Sequence, residues 1–186
     1  MSVPTSGHRV QLTCHPSTPS SDAVRGVEVR IQQEEGDTLS FAFSLHADLS
    51  RVRIPPTREA QRTDELWKHT CFEAFIVTSG EPSYSELNFS PSGEWAAYLF
   101  TGYREDMKPL DIEQPRPMRI RSGPHGLDLH VVVRRANPPV REEGARSRVG
   151  VAAVIEEIDG RISYWSLKHP AGKPDFHHPD AFDLEL

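Results

Sequence analysis

Apolar side chains recur at every second position in four stretches of this chain, and that period restricts the fold more than any other feature. Val27, Val29 and Ile31 alternate with Glu28, Arg30 and Gln32, and Leu39, Phe41, Phe43 and Leu45 alternate with Ser40, Ala42 and Ser44. Leu127, Leu129, Val131 and Val133 form a third row, and Val149, Val151, Ala153 and Ile155 a fourth. Successive side chains of a strand point to opposite faces, so these rows predict half-buried antiparallel strands with one side packed and the other wet. Less regular segments at 10–14, 69–78, 83–90, 94–101, 117–122 and 161–168 read as further strands. Turn signals separate them, among them Glu35-Gly36-Asp37, Ser79-Gly80-Glu81-Pro82, Ser90-Pro91-Ser92-Gly93 and Asp159-Gly160. About ten strands joined by short turns predict an all-β chain, a two-sheet antiparallel sandwich or a barrel, with little helix.

With 16 prolines and 12 glycines in 186 residues, long helices have little room. The one helix candidate is a short surface helix over 57–66 (TREAQRTDEL), just before Trp67, and it lacks an apolar stripe. Residues 107–117 hold three prolines and read as a loop, and 136–148 reads as a charged, proline-bearing, mobile link. The length fits one domain over 1–186, with 1–24 as an N-terminal strand and loop and 169–186 as a C-terminal closing segment.

The net charge of −6 argues against a broad footprint for nucleic acid or an anionic membrane surface. No apolar run is long enough to cross a bilayer. The start, MSVPTSGHRVQLTC, has no cationic stretch followed by an apolar core, so a cytoplasmic address is expected. Cys14 and Cys71 are then expected to be free thiols, Cys71 as a buried strand residue. CxxC, P-loop, dinucleotide-loop, GxSxG and HExxH spacings do not occur.

Three constellations can carry function. The first is aromatic: Trp67, Trp95 and Trp165, with Tyr84, Tyr98, Tyr103 and Tyr164 near them. Flat rings stack on the C–H face of a sugar, and the alternative use of such rings is core packing. Trp67 follows a polar segment and precedes a strand, which places it at a sheet rim. The second is polar groups inside apolar strands: Glu73 within Cys71–Val77, and Glu86 and Asn88 within Tyr84–Phe89. If these strands pair across the 79–82 turn, the three side chains share a groove suited to the hydroxyls of a polyol; the alternative is a solvated sheet face. The third is the histidine-rich end, with His169, Asp175, His177, His178 and Asp180. Asp175, His177, His178 and Asp180 can bind a divalent metal, but adjacent histidines on an extended chain point opposite ways. The stiff, proline-rich segment reads instead as an ordered loop over one end of the sandwich, its rings used for packing or ligand contact.

Trp67-Lys68-His69-Thr70-Cys71-Phe72-Glu73-Ala74-Phe75-Ile76 resembles the W-x-x-D-x-x-E-hydrophobic strand of the DOMON and family 9 carbohydrate-binding-module superfamily. Tyr84 to Gly93 is similar to that superfamily's next strand and turn, and Phe176 to Leu186 to the final segment of its DOMON-like subset. The resemblance implies a jelly-roll β-sandwich that binds a small polar ligand, foremost a carbohydrate, and does no chemistry. Carried over, it makes Trp67 one wall, Glu73 and Asn88 hydroxyl partners, and Glu86 a further groove-facing residue. It leaves the second wall to Phe182, His177 or His178, since the closing segment has no tryptophan, and Thr70 stands where an acidic residue is common. No cofactor is expected. Other superfamily members bind haem b between a Met and a His or Lys, for which Met107, Met118 and several histidines are present. Two further alternatives are a glycosidase-like enzyme using His69, His169, Glu73 and Glu86 as acid and base, and an interaction module whose groove is filled by its own loops.

Overall fold

A computed structural model describes residues 7–78, 80–116, 118–134 and 147–186. The strands are β1 (Gly7–Gln11), β2 (Thr13–Cys14), β3 (Val24–Gln33), β4 (Thr38–Ala47), β5 (Cys71–Thr78), β6 (Tyr84–Phe89) and β7 (Trp95–Phe100), then β8 (Lys108–Pro109), β9 (Met118–Gly123), β10 (Gly126–Arg134), β11 (Ser147–Glu156), β12 (Ile162–Ser166) and β13 (Leu184–Glu185). They build two antiparallel sheets. The smaller runs β1-β3-β4-β10-β9; the larger runs β2-β12-β11-β5-β6-β7-β8, with β13 added to β11. The chain is thus an all-β, two-sheet antiparallel sandwich. No helix among the described residues is long and apolar enough to cross a membrane.

The four alternating rows fall on β3, β4, β10 and β11. Their apolar members face the other sheet. Phe43 of β4 lies 5.1 Å from Phe72 of β5, and Phe41 lies 6.4 Å from Phe89 of β6. The 10–14 segment divides between the layers, because β1 pairs with β3 and β2 with β12. Buried Leu12 marks the crossing, its N–H donating to the Val27 carbonyl at 2.8 Å. Glycine serves the tight turns: Gly93 and Gly160 hold φ of 96° and 87° in the two hairpins expected after Phe89 and Glu157.

Two expectations need correction. Residues 57–65 form no helix; only Leu66–Lys68 makes a single 3-10 turn. The stretch has too little apolar surface to gain from helical packing. It lies instead beside the start of β7, Thr63 N–H donating to the Trp95 carbonyl at 2.8 Å and Trp95 N–H to the Gln61 carbonyl at 3.0 Å. Buried Glu94 fastens it by accepting from Thr63 Oγ1 at 3.0 Å and Ser92 Oγ at 2.8 Å. The loop at 107–117 also contributes β8, paired to β7. The link expected at 136–148 lies outside the described residues, except for Ser147 and Arg148, which open β11.

The second correction concerns wet faces. The smaller sheet does keep one, carrying Arg30, Asp128 and Arg134. The larger sheet is covered on its inner face and over much of its outer one. Its inner face packs on the smaller sheet through Phe72, Leu87, Phe89, Trp95 and Trp165. Its outer face carries a separate cluster of Phe75, Tyr84, Tyr98, Phe100 and Val154, closed over by Phe176, Ala181 and Phe182 of the C-terminal segment. Gly150 of β11 allows this closure: a Cβ there would stand 2.7 Å from the Phe182 ring and 2.9 Å from the Ala181 carbonyl oxygen. Gly150→Val is therefore predicted to keep the sandwich, with unchanged far-ultraviolet circular dichroism, while loosening the closing segment. Trypsin cleavage after Lys168 should become about tenfold faster; an unchanged rate would show that the segment is held elsewhere.

Candidate functional site

The closing segment leaves part of the outer face of the larger sheet uncovered. There the structure has a half-open pocket of about 390 Å³, lined by Trp67, Glu73, Glu86, Phe100, Arg104, Met107, Val154, Tyr164, Pro174, Phe176 and His177. The strand register explains its shape. Glu73 on β5 stands opposite Asn88 on β6 and Ala152 on β11, and Asn88 stands opposite Ala96 on β7. Small alanines thus flank this row, and the floor is low where the carboxyl lies. Glu86 is the diagonal neighbour of Glu73 on the same face, since its own opposite residue is Phe75.

Both carboxyls are buried, at 3% and 4% exposure, where a solvated sheet face would leave them wet. Asn88 Nδ2 donates to Glu86 Oε1 at 2.7 Å, and Asn88 Oδ1 accepts from the Cys71 thiol at 3.7 Å. Glu73 Oε1 is buried without a hydrogen-bond partner. Desolvation, and then repulsion from Glu86, push the Glu73 pKa well above the usual carboxylate range. Desolvation likewise raises Glu86, against the Asn88 bond and the charge of Arg104.

Loops frame this floor. Trp67 sits half-buried on the 3-10 turn, its ring 5.6 Å from Tyr98 and nearly perpendicular to it. Arg104, from the loop after β7, reaches the closing segment by donating from Nη2 to Asp175 Oδ1 at 2.7 Å, and the Tyr103 hydroxyl donates to Asp175 Oδ2. Arg104 N–H donates to Tyr84 Oη at 3.2 Å, so the Tyr84 hydroxyl is free to donate to His177 Nδ1 at 2.8 Å. His177 Nε2 faces Glu86 Oε2 at 3.7 Å. Desolvation first, and then the Arg104 charge, lower the His177 pKa to about 4, so the ring is neutral at physiological pH. Among the described residues, the non-glycine residues with positive φ, Glu65, Arg104 and Asp106, lie within two residues of a pocket-lining side chain or line it themselves.

Trp67, Glu73, Glu86 and His177 are thus brought together around one cavity. Asn88 lies beneath it, fully buried, with both ends of its amide engaged. Phe182 packs 5.7 Å from Phe75 and against Gly150, away from the lining. His178 points elsewhere, its Nδ1 accepting from Asp180 N–H at 3.2 Å as the cap of the 179–181 turn. Trp95 and Trp165 belong to the inter-sheet core. His169 Nε2 donates to the Thr13 carbonyl at 2.7 Å. Among the described residues no group of three or more His, Cys, Asp or Glu side chains is arranged to hold a metal. Arg104, Phe100, Phe176, Val154 and Pro174 were not singled out for the site by sequence, and Tyr164 was named only as a neighbour of the tryptophans. Only Tyr164 carried a usable signal: it neighbours Trp165, so if one faces the core the other faces out.

No protein-family model and no curated protein matches the chain. A solved structure does: a "putative carbohydrate-binding protein" of Bacteroides uniformis, 13% identical, aligned over 96% of this chain and 84% of its own, with a TM-score of 0.65. At that identity the likeness is one of fold.

The raised Glu73 pKa has a stability consequence with a definite sign. A carboxyl whose folded pKa exceeds its unfolded one stabilises at low pH and loses that contribution as pH rises through the folded value. His177 acts oppositely, its contribution present above its ordinary pKa of 6.5 and lost as pH falls toward about 4. Glu73→Gln is predicted to raise the melting temperature by several degrees near pH 8 and by little near pH 4. A variant less stable than wild type at the higher pH would contradict a desolvated Glu73 with a raised pKa.

Proposed function

We propose that the chain is a non-catalytic binding domain for a small polar ligand, foremost a saccharide, held in the pocket on the outer face of the larger sheet. One observation carries this reading: a half-exposed indole, Trp67, at the rim of the same cavity whose floor holds the unpartnered Oε1 of Glu73. A pyranose offers a C–H face to stack on the indole and hydroxyls that satisfy buried oxygens, which are costly when left bare. The volume lies within the range of small-molecule pockets, roughly 300–1,000 Å³. Tyr164, Phe176 and His177 border the same cavity as Trp67, and His177 is one of the three residues expected as the second wall. The three motifs resembling the DOMON and family 9 carbohydrate-binding-module superfamily support the same ligand class, as does the name of the Bacteroides uniformis protein.

The alternatives fit less well. Met107 and His177 both border the pocket, but His177 Nδ1 is taken by Tyr84, its Nε2 faces Glu86, and the floor is acidic where a haem crevice is apolar. A glycosidase needs carboxyls flanking the scissile bond from both sides. One member of such a pair must be ionised to act as base or nucleophile, whereas burial pushes both Glu73 and Glu86 upward. A groove filled by its own loops would leave no cavity of this size.

Trp67→Ala is predicted to weaken saccharide binding at least about tenfold in calorimetric titration across a mono- and oligosaccharide panel, near 1.4 kcal/mol. The melting temperature should change by only a few degrees, because the inter-sheet core is untouched. Full affinity in the variant would overturn the reading. Chromogenic glycosides should give no turnover, and steady release of nitrophenol abolished by Glu73→Gln would establish the enzyme instead.

A further inference from the structure

The pocket floor carries a charge arrangement that a neutral sugar leaves unused. Glu73 and Glu86 face the cavity from adjacent strands, and Glu73 Oε1 has no hydrogen-bond partner. The groups that face this pair are Cys71 and Asn88 from its own strands, Tyr84 from β6, Arg104 from the loop after β7, and Asp175 and His177 from the closing segment. Arg104 alone among them is a cation, and it is paired with Asp175. His177 is neutral. The Arg104 charge reaches both carboxyls, yet among the described residues no cation forms an ion pair with Glu73, and a buried carboxyl so placed must keep its proton or meet a cation from outside. Around it stand Trp67, Phe100, Tyr164 and Phe176, whose ring faces attract cations as well as C–H groups.

We propose that the pocket is built for an amino sugar, a ligand whose protonated amine sits over Glu73 and Glu86 while its ring stacks against the aromatic walls. This rests on the saccharide reading above and adds the charge of the ligand to it. The ammonium takes the place of the proton that the empty pair holds, so that proton passes to solvent on binding. Net charge inside the pocket is then unchanged, and both carboxylates gain N–H donors.

The test is calorimetric titration of the full chain at about pH 6.5, where an amine of this kind is protonated. The probes are glucosamine, glucose and N-acetylglucosamine, each in two buffers of different ionisation enthalpy. Glucosamine is expected to bind about tenfold or more tightly than the two neutral sugars, with a buffer-dependent heat that reports proton release. Glu73→Gln should bind glucosamine and glucose alike. Equal or tighter binding of a neutral sugar by the wild-type chain overturns the amine while leaving the saccharide reading standing. Glucosamine binding with no proton release overturns the proposed exchange at Glu73 and Glu86. Failure of all three probes to bind overturns both.

Discussion

The larger sheet has to be covered on both sides, and most of what is distinctive in this chain follows from that requirement. Its inner face meets the smaller sheet; its outer face has only the C-terminal segment and two loops to cover it. Burying one large aromatic side chain contributes roughly 1.5–3 kcal/mol, so Phe176 and Phe182 dominate the closure. The exposed Lys168–Asp183 ion pair at 2.8 Å belongs to a class of contact worth at most about 1 kcal/mol. The aromatic contacts need a low floor, which Gly150, Ala152 and Ala96 provide. Where the cover stops short, the same low floor becomes a pocket. Two carboxyls that would be wet on an open sheet are enclosed there, with raised pKa values and an unsatisfied oxygen.

The cover and the site are also mechanically one unit. Arg104 reaches Tyr84 with its backbone and Asp175 with its side chain, while Tyr84 holds His177. The loop after β7, strand β6 and the closing segment are therefore joined through a single residue held at φ 57°. Left-handed backbone at a non-glycine residue costs of order 1–3 kcal/mol and persists where surrounding contacts determine it. Here those contacts are the ones that shape the pocket wall.

Much of this was legible in residue order, and the limits have physical causes. Period-two rows located β3, β4 and β10 because the smaller sheet does keep one wet face. In β5 and β6 the alternation blurs, yet parity survives: Phe72 and Leu87 face the core, so Glu73, Glu86 and Asn88 face away from it. Trp67 could be placed at a rim because a polar segment precedes it. What could not be read is the cover. Nothing local tells that Arg104 will meet Asp175, or that Phe176 will close over Val154, since such contacts depend on how the chain end returns to the sheet. The 57–65 stretch failed for a related reason: pairing with Trp95, a tertiary contact, outweighed weak helix propensity. Fold likeness at 13% identity supports the architecture, whereas the ligand class rests on this chain's own side chains.

The three indoles offer a direct measurement, because one lines the pocket and two lie in the core. In a ¹H–¹⁵N spectrum titrated with a binding saccharide, the Trp67 indole N–H should move with a saturable curve, together with the backbone amides of Arg104, Tyr164 and His177. Those of Trp95 and Trp165 should stay in place. Shifts confined to the wet face of the smaller sheet, around Arg30 and Asp128, with Trp67 unmoved, would contradict a binding site on the outer face of the larger one.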